Sequence, residues 1–284
     1  MRECLSIGLS LGIVVTLANR NYPLEDQTQH QPLPMRMRKG IYLLPNLMTT
    51  GAMFGGFYAI VAAMQGMFEA AAVAIFIAMI LDGLDGRVAR MTNTQTEFGA
   101  QYDSLADLIS FGVAPGLVMY QWSLVHLREV SMAWGKAGWL VAFIYVACAA
   151  LRLARFNVQI GKVDKRFFVG LPSPTAAAMM AGSVWVFHNM EVAGADVRLF
   201  ALFMTLAIGL LMVSNLSYYS FKDIDLRNRV PFFVGLIMVL VLALTMLDPS
   251  KVLFAVFAAY TLSGPLLWVW RRYRRTQRRK KDTE

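Results

Sequence analysis

Apolar residues in this chain arrive in blocks close to twenty long, and nothing else in the sequence limits the fold as strongly. Eight such runs can be traced, at roughly 41–65, 69–88, 104–125, 137–157, 172–189, 198–216, 231–247 and 252–270. A run of about 20 apolar residues wound as an α-helix spans the hydrocarbon of a bilayer. In that medium every backbone polar group must find a partner inside the protein. The pattern predicts an all-α fold, a polytopic transmembrane helix bundle of about eight spans. Composition agrees: of 284 residues 57% are hydrophobic and only 16% charged, with a mean hydropathy of +0.50. The third run is interrupted by Gly112, Pro115 and Gly116. A kink there is tolerable only where neighbouring helices or a cavity satisfy the freed backbone groups.

A net charge of +9 suggests nucleic acid at first sight, but the basic residues collect at the ends of the apolar runs. Threading eight spans puts 21 Lys and Arg on the side of Arg36, Arg38 and Lys39, and 4 on the other; Arg2 and Arg20 complete the 27. By the positive-inside rule the basic side is cytoplasmic. The expected location is the cytoplasmic (inner) membrane, with no nucleic-acid partner. The basic tail, 271–284, reads as a surface anchor attracted to anionic lipid. Ahead of the membrane domain, 39–270, residues 1–38 form an extension. Its apolar run Leu5–Ala18 is short for a span, and a polar, Pro-rich linker follows it. That run suits an interfacial helix, a signal-like segment or sequence upstream of a later start at Met35 or Met37. The extension is expected to be the least ordered or most peripheral part. Two cysteines, Cys4 and Cys148, give no disulfide framework, and the three histidines are scattered.

The chemistry concentrates in DGLDGRVARMTNTQTEFGAQYDSLAD, residues 82–107. Asp82 and Asp85 lie three apart at the end of one apolar run; Asp103 and Asp107 lie four apart at the start of the next. Each pair shares a helix face, and a short polar link brings the pairs together on the cytoplasmic side. Four anions beside hydrocarbon are very costly unless cations neutralise them. Carboxylate oxygens suit a hard divalent ion, Mg2+, Mn2+ or Ca2+. The plainer reading, a salt-bridge cluster with Arg87 and Arg90, sets two cations against four anions. Gly83 and Gly86 leave the backbone open to a phosphate, Arg90 can grip one with its planar fork, and Gly99 permits close helix contact.

The spacing D-x2-D-G-x2-A-R-x8-G-x3-D-x3-D is met by Asp82, Asp85, Gly86, Ala89, Arg90, Gly99, Asp103 and Asp107. It resembles the signature of the CDP-alcohol phosphatidyltransferases, which move a phosphatidyl group from a CDP-lipid to an alcohol and release CMP. The resemblance implies two divalent ions, Mg2+ or Mn2+, on Asp82, Asp85 and Asp103. Asp107 would contribute to that site and act as general base. The CDP-lipid would lie against Asp82, Gly86 and Arg90. Further stretches resemble the phosphatidylserine synthase branch: 43–56, 104–116, 150–157, 168–178 and 218–223. The likeness runs from about 40 to 270; residues 1–38, Met48, Ala52 and Met53 depart from it. It implies CDP-diacylglycerol and L-serine as substrates and a homodimer.

Within those stretches Asn46, with Thr49 one turn on, can read a nucleotide base, or Asn46 can serve as a helix N-cap. Arg152 and Arg155, with Asn157, lie at the cytoplasmic end of the fourth run, where they satisfy topology or bind the serine carboxylate or the lipid phosphate. Lys222 has the same two readings. Pro172-Ser173-Pro174 marks a helix start. Two competitors stand beside serine transfer. One keeps the chemistry with glycerol phosphate, inositol phosphate or choline as acceptor. The other is a divalent-cation transporter, which would spread acids through the membrane depth, whereas here they gather at one face.

Overall fold

The computed structural model describes residues 43–159, 167–219 and 232–281. The extension 1–38, the basic flank before the first run, Lys162, Lys165, Arg166 and Lys222 lie outside these residues.

Helices α1 (Leu43–Met64) and α2 (Phe68–Met91) form a hairpin. Next comes an interrupted rod: α3 (Glu97–Asp107), a π-helical segment (Leu108–Val113) and α4 (Ala114–Trp122). A 3-10 turn, Leu124–Glu129, leads to α5 (Met132–Gln159). Then follow α6 (Ser173–Asn189), α7 (Arg198–Val213), α8 (Phe232–Leu247) and α9 (Pro249–Lys281). Two three-residue strands, β1 (Phe167–Val169) and β2 (Ser217–Tyr219), pair antiparallel with Phe167 opposite Tyr219 and Val169 opposite Ser217. This small ribbon, which hydropathy did not foretell, ties the segment after α5 to the one after α7. The class is all-α as expected, and each of the eight apolar runs coincides with helix.

By length and apolarity alone, three of the described helical stretches can cross a membrane: Leu43–Met64, Met132–Val158 and Pro249–Trp270. The others fall short individually. The interrupted rod is divided, and α6, α7 and α8 have only 16 or 17 residues.

In lipid, apolar surface gains little by facing another helix, so association rests on close packing between small residues. The α1–α2 seam shows this. Ala52, Gly56, Ala59 and Ala63 of α1 are buried, as are Ala71, Ala74 and Ala78 of α2. The core continues through Phe111, Val118 and Met119 of the rod, Tyr145 and Ala149 of α5, and Met180 and Val184 of α6. At Gly56 a Cβ would lie 2.7 Å from the Ser110 Cα, so α1 and the π-helical segment touch backbone to backbone.

The rod begins at Glu97, seven residues before the apolar run that predicted it. Its first turns are polar and invisible to hydropathy, but they are capped: the Thr96 side chain accepts the Gly99 N–H at 3.0 Å. At the far end α9 passes Trp270 without a break, so 271–281 continue the last helix. The Arg274 guanidinium sits 3.8 Å over the Trp270 ring, a contact suited to a helix leaving an apolar phase.

Candidate active site

The last three turns of α2 carry Asp82 and Asp85, and α3 carries Asp103 and Asp107. The α1–α2 seam and the capped link at 92–96 bring these helix ends together. Asp82, Asp85 and Asp103 each present a carboxylate oxygen, and the three oxygens lie within 4.8 Å of one another. Asp85 is buried and doubly held. The Thr49 hydroxyl donates to its Oδ2 at 2.6 Å, and the Gly86 backbone N–H also bonds to it. Asp107 lies one turn deeper than Asp103, outside that trio, with its carboxyl hydrogen-bonded to that of Asp82.

No ion pair among the described residues reaches any of these four carboxylates. Arg90 is exposed, and its Nε donates to the Gly86 carbonyl of its own helix at 2.9 Å. The salt-bridge reading of the cluster therefore fails among the described residues. Asp103, just ahead of the third apolar run, has its carboxyl pushed up to about 7, by burial first and then by the charges of Asp82 and Asp85. A divalent cation would relieve that repulsion. Three convergent carboxylates with no protein cation among them are a donor set that fits a hard ion, so the residues match the divalent-metal dependence of the chemistry outlined above.

Beside the trio opens a cavity of about 250 Å³, with Asp85 and Asp103 in its wall together with Asn46, Thr49, Gly86 and Gly99. Gly86 fits the reading from sequence: a Cβ there meets nothing within 4 Å, so the backbone faces open space. Asn46 lines the cavity from inside α1, which begins at Leu43, so it is not an N-cap. Thr49 also lines it, but its hydroxyl is engaged by Asp85. Arg90 does not line the cavity. Thr94, Gln95 and Thr96 do, and sequence reasoning passed over them. The only available signal was a run of small polar residues between two pairs of acids.

The basic candidates separate. Arg152 reaches inward from α5, and its Nη1 donates to the Ser173 hydroxyl at the start of α6, at 2.7 Å. Its Nε is buried without a hydrogen-bond partner, and its charge acts on Asp107. Arg155 turns away, donating to the Val213 carbonyl at 3.4 Å and to Asn215 Oδ1 at 2.9 Å. Asn157 donates to the Ser104 hydroxyl at 2.9 Å, which ties α5 to α3. Ser173 and Asn215 were not foreseen as partners of these arginines. Arg152 thus lies within electrostatic range of Asp107, though no ion pair joins the two among the described residues.

Comparison with known proteins gives concordant results. The family model described as CDP-alcohol phosphatidyltransferase matches residues 42–213. A Helicobacter pylori protein named CDP-diacylglycerol–serine O-phosphatidyltransferase is 37% identical over 233 residues, which is 81% of this chain and 92% of that protein. A Mycobacterium tuberculosis protein of the same name is 32% identical over 239 residues, 81% of this chain and 80% of its own. An archaetidylserine synthase from Methanothermobacter thermautotrophicus is 34% identical over 177 residues, 62% of this chain and 69% of its own.

Proposed function

This chain belongs to the CDP-alcohol phosphatidyltransferase family, and from that premise we propose that it is a CDP-diacylglycerol–serine O-phosphatidyltransferase. It transfers the phosphatidyl group of CDP-diacylglycerol to the hydroxyl of L-serine and releases CMP. The observation that carries this reading is the trio Asp82, Asp85 and Asp103, within 4.8 Å of one another, beside the cavity and next to Asp107. The names of the relatives support serine over other alcohols.

Each residue has a part. Asp82, Asp85 and Asp103 hold the divalent ions, Mg2+ or Mn2+ and two in number, with Asp107 adjoining them through Asp82. The ions supply neutralisation of the pyrophosphate charge during attack and departure. Thr49 keeps Asp85 aimed at the ligand position. The nucleotide end of CDP-diacylglycerol occupies the cavity, with Asn46 at the base and Gly86 permitting close backbone approach. Arg152, oriented by Ser173, receives the serine carboxylate on its buried Nε edge. The serine hydroxyl then faces Asp107, which accepts its proton. The serine oxygen bonds to the lipid-side phosphorus as the bond to the CMP oxygen breaks. No enzyme nucleophile takes part. Arg90, Arg155, Asn157 and Lys222 remain part of the wider cytoplasmic rim, with Arg90 free to swing from its helix carbonyl to a phosphate.

All eight apolar helices cross the cytoplasmic membrane in this reading, with the site on the cytosolic face where nucleotide and serine arrive. The basic end of α9 lies on anionic lipid, and the protein pairs as a homodimer. The asymmetry of 21 to 4 basic residues supports that orientation.

The test is transfer by purified protein from CDP-diacylglycerol to labelled L-serine, in competition with glycerol phosphate, inositol phosphate and choline. Serine-dependent CMP release that chelation abolishes and metal restores is expected, with Asp107→Asn lowering it by about a hundredfold or more. CMP release with another alcohol but none with serine overturns the acceptor. Full turnover by Asp107→Asn overturns the base.

A further inference from the structure

Pro115 has no backbone N–H, so the carbonyl of Phe111, four residues earlier, lacks its α-helical donor, and the proline ring crowds it. The chain responds by widening: across Leu108–Val113 the helix is π, and the Ala114 N–H bonds to the Ile109 carbonyl five residues back. Such widenings are rare and gather at functional sites. This one starts at the residue after Asp107. Two buried hydroxyls fasten it, one of its own and one from α5. Ser110 Oγ donates to the Ala52 carbonyl of α1 at 3.0 Å. Tyr145 Oη, from α5, donates to the Phe111 carbonyl itself at 3.0 Å, and Tyr145 is wholly buried.

The widening sets where the acids point. One extra residue in a turn rotates the helix before it by about 100° relative to the helix after it. The part after it, α4, is anchored by Ala114, Pro115, Val118, Met119 and Trp122, all buried. Rotation on losing the π turn would therefore fall on α3, which carries Asp103 and Asp107. We infer that Tyr145 is a positioning residue for phosphatidyl transfer: its hydroxyl satisfies the Phe111 carbonyl that Pro115 leaves without a donor, and so holds the widened turn that aims Asp107 and Asp103 at Asp82 and Asp85. The inference rests on the reading of Asp107 as the base. It adds a residue outside the signature, touching neither metal nor substrate.

The test is Tyr145→Phe in the full-length protein, alone and with Pro115→Ala. Turnover, KM for CDP-diacylglycerol, Mn2+ binding by electron paramagnetic resonance and thermal midpoint are measured on the same preparations. Tyr145→Phe is expected to lower kcat about tenfold or more, since small displacements of reacting groups carry penalties of that order. Its KM for CDP-diacylglycerol is expected to stay within about twofold, as for loss of an interaction felt in the transition state. Pro115→Ala restores an N–H that can serve the Phe111 carbonyl. In that background Tyr145→Phe is expected to cost less than about twofold further, the non-additivity of two changes acting on one group. A merely stabilising role for the hydroxyl predicts equal losses in both backgrounds, with kcat following the thermal midpoint. That outcome, or unchanged kcat in Tyr145→Phe, overturns the inference. If Tyr145→Phe fails to fold, Ser110→Ala takes its place: it releases the other fastening, should also lower kcat, and overturns the inference if kcat equals the parent's. Absence of serine-dependent CMP release in the parent overturns the functional reading and this inference together. An active parent with an unaffected variant overturns this inference alone.

Discussion

Replacing Thr49 by Val keeps the side-chain shape and removes one hydroxyl. That hydroxyl donates to Asp85 Oδ2 at 2.6 Å, and both residues are buried, Thr49 to 5% exposure and Asp85 to 4%. A hydrogen bond to a charged acceptor contributes about 1.5–3 kcal/mol. The bond favours the ionised carboxylate, which is also the form a metal needs. At about 1.4 kcal/mol per tenfold, its loss weakens metal binding by about 10- to 150-fold. The lower end is the better expectation, because the metal-free site loses the bond too. The assay is titration of Mn2+ by electron paramagnetic resonance beside CMP release at graded Mn2+. Thr49→Val should raise the metal dissociation constant about tenfold while turnover at saturating metal largely recovers, as when only ground-state binding is lost. Thr49→Ser retains the donor and should stay within about threefold of the parent. A Thr49→Val protein that binds Mn2+ as tightly as the parent would show that this bond does not hold the ligand, and Thr49 would then return to the role of a nucleotide contact.

Gly56→Ala puts a Cβ 2.7 Å from the Ser110 backbone; overpacking of this kind costs about 1–3 kcal/mol, so the thermal midpoint in detergent should fall and turnover with it. Arg152→Ala should raise KM for serine far more than Arg155→Ala, because the Arg152 Nε is buried and without a hydrogen-bond partner whereas Arg155 is occupied by Val213 and Asn215; equal effects would reject the assignment. At the turn between α8 and α9, hydrogen bonds from Lys251 and Ser250 hold Asp248 down at about 2. Its folded value is depressed, so its contribution is present above the usual carboxylate value and is lost only as pH falls through about 2. Protection of the Lys251 amide against hydrogen exchange should accordingly show no pH-dependent loss of structure between about pH 5 and 8, and Asp248→Asn should reduce it.

The helices were legible because a long apolar run must close its own backbone hydrogen bonds wherever water is excluded, and each of the eight runs coincides with helix among the described residues. What hydropathy could not see was polar structure continuous with them. The first turns of α3 are held by a Thr96 cap, and the helical tail after Trp270 is as charged as a loop would be. The β1–β2 ribbon was hidden for a different reason: it pairs residues about fifty positions apart, and no local periodicity marks a strand of three residues.

At the site, spacing delivered the carboxylates because helical geometry converts intervals of three and four into one face. It could not divide the basic residues, since Arg152 and Arg155 satisfy the same topological demand and differ only in what their helix face meets. Position 152 meets Ser173 of α6 and lies within electrostatic range of Asp107; position 155 meets the end of α7. The same limit hid the importance of Pro115. In the sequence it signalled a kink needing help from neighbours, which the structure supplies through Tyr145, thirty residues on, and that donor could not be named without the packing of α5 on the rod. The carboxylates that converge were therefore readable from the chain, while the residues that hydrogen-bond and position their neighbours became readable only once the helices were packed. Thr49, Ser173 and Tyr145 all belong to this second group, each offering one hydroxyl to a group that would otherwise be misdirected. Their substitution should alter metal affinity, acceptor KM and turnover respectively, a separation that distinguishes three local alignments from one general loss of packing.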